Sequence, residues 1–148
     1  MQPDVGRVAE TRNWIERAAE DRRAGEFGFT ARPPLLTDIV FHAQQLAEKS
    51  LKAFLVWHLQ PFRQTHNLVE IGQQCVDIDE TFGPLAQRAA TLSEYAWTFR
   101  YPGAPDEPSQ EEARQALDLA REVYDRDLEI AGGRGGLDRE NVGRVRMV

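Results

Sequence analysis

Eight side chains in this sequence have the types and spacing to hold an anion. His42, Gln45, Lys49 and Lys52 fall within one stretch, Arg63 and His66 follow in the next turn, and Arg100 and Tyr101 stand together further on. A phosphate needs several converging donors and a nucleobase needs an aromatic face, and this set contains both. Lysine supplies a compact charge with three donors, arginine a planar fork, and histidine a donor or acceptor according to its protonation. The plainer alternative is that Lys49 pairs with Glu48 or a nearby Asp on a solvated face, and that Arg100 caps a helix C-terminus. From spacing alone the plainer reading leads.

Other chemistries are easier to set aside. His42, His58 and His66 are too dispersed for a zinc motif, and one cysteine adds nothing to them. The Glu-x-x-His pattern of di-iron bundles is absent, so neither a metal nor another cofactor is expected. Cys75 lies on an apolar helical face and reads as a buried, inert thiol. The sequence contains no Gly-rich lysine loop for phosphates and no dinucleotide fingerprint after a strand.

The element that must position four of the eight residues runs from Thr37 to Leu59. It lacks Gly and Pro, and Ile39, Ala43, Leu46, Ala47, Ser50, Phe54 and Trp57 share one broad arc that Val40 and Leu51 widen. Gln45, Lys49 and Lys52 fall opposite, with His42 at the boundary, but Phe41, Val56 and Leu59 interrupt that side. A helix apolar on so much of its circumference belongs at the centre of a bundle.

Around it, residues 5–24 predict a first helix that ends at Gly25, after which Phe27 and Phe29 plug the open end of the core. Thr65 or Asn67 caps a short extra helix with Leu68, Ile71 and Cys75 inward. A further helix spans 84–99, and the last opens at Ser109 with Glu112 as a capping box and runs to about residue 130. Strand patterns are missing. The expected fold is all-α, a four-helix up-and-down bundle with one short extra helix. It occupies residues 1–130, and a Gly-rich tail over 131–148 reads as flexible.

With 148 residues the chain fits one domain, and its net charge of -6 makes it a poor nonspecific nucleic-acid binder. Any polyanion would need a local basic pocket. No apolar run spans a membrane, the first residues lack a secretory pattern, and the cysteine cannot form an internal disulfide; a cytoplasmic location is expected.

Three pieces in order resemble the HEPN domain (higher eukaryotes and prokaryotes nucleotide-binding) in its small prokaryotic form. They are His42, Gln45, Glu48, Lys49, Leu51 and Lys52; then Thr65, His66, Asn67 and Leu68; then Arg100, Tyr101 and Pro102. The resemblance covers about residues 8–129. It implies a helical bundle, commonly a homodimer, that binds a nucleotide or RNA, often beside a minimal nucleotidyltransferase in a toxin–antitoxin pair. Several members of the family are metal-independent ribonucleases carrying Arg, four to six residues, then His. This chain departs from that: no histidine follows Arg88 or Arg100, and Arg63 stands too close to His66. Arginine stabilises phosphorane charge but cannot trade a proton near neutral pH, so a nuclease would have to use His66 or His42. Asn67 also replaces the usual Asp. Three readings therefore stand open: a noncatalytic nucleotide- or RNA-binding module, a ribonuclease toxin, and a dimeric interaction protein in which His42, Gln45 and Tyr101 satisfy one another.

Overall fold

A computed structural model describes residues 5–62, 64–99, 101–103 and 106–133. Among these, every regular element is helical: α1 (Val5–Gly28), α2 (Leu36–Trp57), α3 (Leu68–Ile78), a 3-10 turn (Glu80–Phe82), α4 (Gly83–Ala89), a 3-10 helix (Ala90–Ala96) and α5 (Gln110–Gly133). The all-α expectation holds.

The apolar arc read from the sequence puts α2 at the centre. From Ser50 to Trp57 every side chain of α2 is buried. α1 covers one side of it, α5 a second, and α3 with the 3-10 helix a third. Phe54, Ile39, Leu46, Leu51 and Leu55 are its largest fully buried side chains, and Phe54 meets Phe82 edge to face at 4.7 Å between centroids. Burial of such side chains is the main stabilising term, about 1.5–3 kcal/mol apiece.

Two expectations for α1 are corrected. The helix does not end at Gly25 but runs to Gly28, and both glycines are buried. Trp14, Ala18, Asp21, Gly25 and Gly28 recur at three- and four-residue intervals, so the glycines belong to the inner stripe. A Cβ at Gly25 would lie 2.9 Å from Leu117 Cδ1, and one at Gly28 would lie 2.6 Å from Ile39 Cγ1. Glycine lets α5 and α2 approach closely there. Phe27 does not plug the core: it is 72% exposed, whereas Phe29 packs against the core with the Arg114 guanidinium 3.9 Å from its ring centroid.

The helix expected over 84–99 is two pieces. α4 gives way at Ala90 to a 3-10 helix, and the buried residues Ala89, Leu92 and Tyr95 recur every three positions, the 3-10 repeat. Tyr95 donates from its hydroxyl to Glu112 Oε1 at 2.6 Å and stacks on Phe99, whose φ of +72° turns the chain away. Burial, then that carboxylate, pushes the Tyr95 phenol above its usual range.

The caps follow the sequence closely. Asn67 Oδ1 accepts from Val69 N at 3.0 Å and opens α3, while Thr65 Oγ1 accepts from Asn67 N. Ser109 Oγ accepts from Glu112 N at 3.0 Å. The Glu112 carboxylate goes to Tyr95 rather than back to the cap, so only half of the capping box forms. Leu68, Ile71 and Cys75 all point inward. Burial, and then nearby Asp127, pushes the Cys75 thiol up, as suits an inert buried sulfur. Ion pairs join α1 to α5: Arg22 reaches Asp125, and Arg121 reaches Glu26. α5 runs to Gly133, so the first three residues of the segment read as a tail from 131 belong to the helix, and the rest of that segment lies outside the described residues.

Candidate functional site

The polar stripe of α2 is organised by two buried carboxylates. Glu48, 3% exposed, sits on α2 itself. Its Oε1 accepts from Gln44 Nε2 at 3.0 Å and faces His66 Nδ1 at 2.7 Å. Its Oε2 accepts from Lys52 Nζ at 3.1 Å, an i,i+4 pair buried on both sides. Gln44 Nε2 also reaches the His66 carbonyl at 3.3 Å, and Gln44 Oε1 accepts from Gln45 Nε2 at 2.6 Å. Glu48 thus fastens the α2–α3 loop to α2.

The second carboxylate is Asp21 of α1. Its Oδ1 faces His42 Nδ1 at 2.8 Å and its Oδ2 accepts from Lys49 Nζ at 2.5 Å. Both partners stay partly open to solvent while the Asp21 side chain is largely covered. In each His–carboxylate pair the carboxylate is the acceptor, so Nδ1 carries hydrogen and Nε2 is left for another partner. The His66 side chain is 62% exposed, and its free nitrogen is accessible.

Lys52 does not offer an open charge. Its ammonium lies 5.6 Å from the Trp14 ring centroid and 5.2 Å from that of Phe62, and those rings meet edge to face at 5.4 Å. Two aromatic faces and one carboxylate together make burial of the cation tolerable.

The structure therefore brings His42 and Lys49 together on Asp21, and Gln45, Lys52 and His66 together around Glu48 and Gln44. Tyr101 is 69% exposed and makes no hydrogen bond, ion pair or ring contact with them. Arg63 and Arg100 lie outside the described residues. Within the single chain His42 turns to Asp21 and Gln45 to Gln44. The solvated-face reading was right that Lys49 takes an Asp, but that Asp comes from α1 and is largely buried.

Beside Lys49 the surface is concave. A trough of about 440 Å³ is lined by Glu10, Asn13, Trp14 and Arg17 of α1 with Lys49 of α2. Sequence reasoning missed Asp21, Gln44, Trp14 and Arg17 as members of this region. The available signal was Asp21 itself, an acidic residue in register with the apolar stripe of α1. Among the described residues no cluster of His, Cys, Asp and Glu could hold a metal ion.

A family model for the HEPN domain matches residues 11–131, most of the chain, and the chain belongs to that family. No curated protein and no solved structure matches it. No described helix is long and apolar enough to cross a membrane.

Proposed function

We propose that this HEPN domain is a noncatalytic module that binds a nucleotide or RNA and works with a minimal nucleotidyltransferase, as a homodimer, in a toxin–antitoxin-like pair. One observation supports it most: His42, Lys49 and His66 reach the solvent edge of α2 already oriented by buried carboxylates. Lys49 uses one donor inward and retains two for a phosphate, and each imidazole keeps Nε2, which in the neutral ring accepts from a sugar hydroxyl. Orientation in the free protein lowers the ordering cost of binding. Arg63, Arg100 and Tyr101 complete the set by the family resemblance. The test is calorimetric titration with nucleotides and short RNA oligomers at moderate salt, with Lys49→Met and His66→Ala proteins beside the parent. Saturable binding weakened by both substitutions is expected, and no saturable binding by the parent overturns the reading. Light scattering and co-purification test the dimer and the nucleotidyltransferase.

A second reading, a metal-independent ribonuclease, is favoured by one feature. His66, held by Glu48 with Nε2 outward, is arranged as a general base. Cleavage of RNA by the parent that is lost in His66→Ala supports this reading; no cleavage by the parent removes it, and equal cleavage by the two proteins removes His66 as its base.

A further inference from the structure

Most cations near α1 are committed. Lys49 is held by Asp21, Lys52 by Glu48, and Arg22 by Glu26 and Asp125. Arg17 is exposed and, like Arg12 and Arg23, has no hydrogen-bond or ion-pair partner among the described residues; of the three, Arg17 lines the trough beside Lys49. Glu10 and Asn13 are likewise exposed and unpartnered. Positions 10, 13, 14 and 17 recur at helical spacing, so these side chains share one face of α1. That face bounds the trough whose remaining wall is Lys49.

We propose that this trough takes a nucleoside monophosphate, with the base on Trp14 and the phosphate between Arg17 and Lys49. The inference rests on the nucleotide-binding reading and gives it a place and a ligand class. The volume of about 440 Å³ lies within the range of small-ligand sites and suits one nucleotide rather than a folded chain. Trp14 supplies the aromatic surface that any nucleobase stacks on. Its ring is braced by Phe62 and by Lys52, so it is set before a ligand arrives. Arg17 supplies a planar fork for phosphate oxygens, and the Lys49 ammonium, fixed on Asp21, adds a second donor at a defined place. Glu10 and Asn13 accept hydrogen bonds from sugar hydroxyls or a base amino group.

Calorimetry with AMP, adenosine and inorganic phosphate tests this on the full chain and on Arg17→Glu, Trp14→Leu and Trp14→Phe proteins. Arg17 is exposed, so the charge reversal leaves folding intact, and Trp14→Phe keeps a ring should Trp14→Leu fail to fold. The expected result is AMP binding weakened at least about tenfold by Arg17→Glu and by Trp14→Leu, and largely retained by Trp14→Phe. AMP should bind the parent more tightly than adenosine, and that preference should vanish in Arg17→Glu. If AMP binds all four proteins equally, the site lies elsewhere and the inference falls while nucleotide binding stands. If short RNA binds but AMP does not, the inference falls and the RNA arm of the proposed function stands. If neither binds, both fall.

Discussion

Glu48 draws three side-chain donors onto one buried carboxylate, so its removal exposes what each partner costs alone. Glu48→Gln leaves the Lys52 ammonium buried between two rings without its counter-charge. Urea denaturation should show a loss of about 3–5 kcal/mol, the usual result of breaking a buried pair from one side. Adding Lys52→Met to the same protein should restore most of that, since a thioether suits the space between Trp14 and Phe62. Asp127 is the opposite case. It is 2% exposed on α5, with no hydrogen-bond or ion-pair partner among the described residues, and burial pushes its carboxyl well above the usual range. A raised acid favours the folded state only while protonated, so its contribution is complete at low pH and is lost as pH rises through the folded value. Asp127→Asn should therefore be more stable than the parent near neutral pH. Thermal melts should show the gain shrinking toward nothing below about pH 4, where Asp is neutral in both states. Glu26 runs the other way. Burial raises its carboxyl, but Arg22 and Arg121 together outweigh this and hold it below the usual range. Its small contribution is present above the unfolded value and fades in acid.

The elements differ in how plainly they show in the sequence. Gly25 and Gly28 look like stop signals, yet both stand where a neighbouring helix comes close. At Gly28 the obstruction is Ile39 Cγ1, next to a stiff β-branch; at Gly25 it is a methyl at the end of Leu117. Alanine gains roughly 1 kcal/mol of helix preference at either site. Gly28→Ala should nonetheless be destabilising by about 1–3 kcal/mol from overpacking, and Gly25→Ala close to neutral, in matched urea titrations. α2 was legible because its apolar arc is nearly unbroken, and α3 and α5 because Asn67 and Ser109 mark their starts. Asp21 was not, because one acid in a charged run of α1 looks like surface until α2 is laid against it. The change from α4 to the 3-10 helix was hidden for a different reason. Leu85, Ala89, Leu92, Ala96 and Phe99 satisfy a 3.6 repeat, while Ala89, Leu92 and Tyr95 satisfy a repeat of three, and so short a stretch cannot separate them. Of the candidate site, the residues of α2 were legible and their partners on α1 were not, since pairing across helices leaves no local spacing.

As a whole the molecule carries a net charge of -6, and among the described residues Arg22, Arg88 and Arg121 are tied to acids. Arg17 of the trough, with Arg23 and Arg32 away from its lining, is exposed without an ion-pair partner. A single strand held at the trough alone should depend weakly on salt: two phosphate contacts, through Arg17 and Lys49, give a slope of log affinity against log salt no steeper than about -1.4. Titrations at three salt concentrations measure this, and a much steeper slope would place binding on another surface. The bundle is also uneven in how firmly its backbone is held. α2 is enclosed on three sides, whereas the chain from Ala90 to Ala96 relies on the tighter and poorer bonds of a 3-10 helix. Hydrogen exchange should report this as an order of opening. Amides of residues 90–96 should trade deuterium well before those of Ser50 to Trp57, through excursions that leave the rest of the bundle closed. Tyr95 and Leu92 would then be briefly uncovered, and Ser93 would release Leu68 N at the start of α3, two residues from the His66 that Glu48 holds.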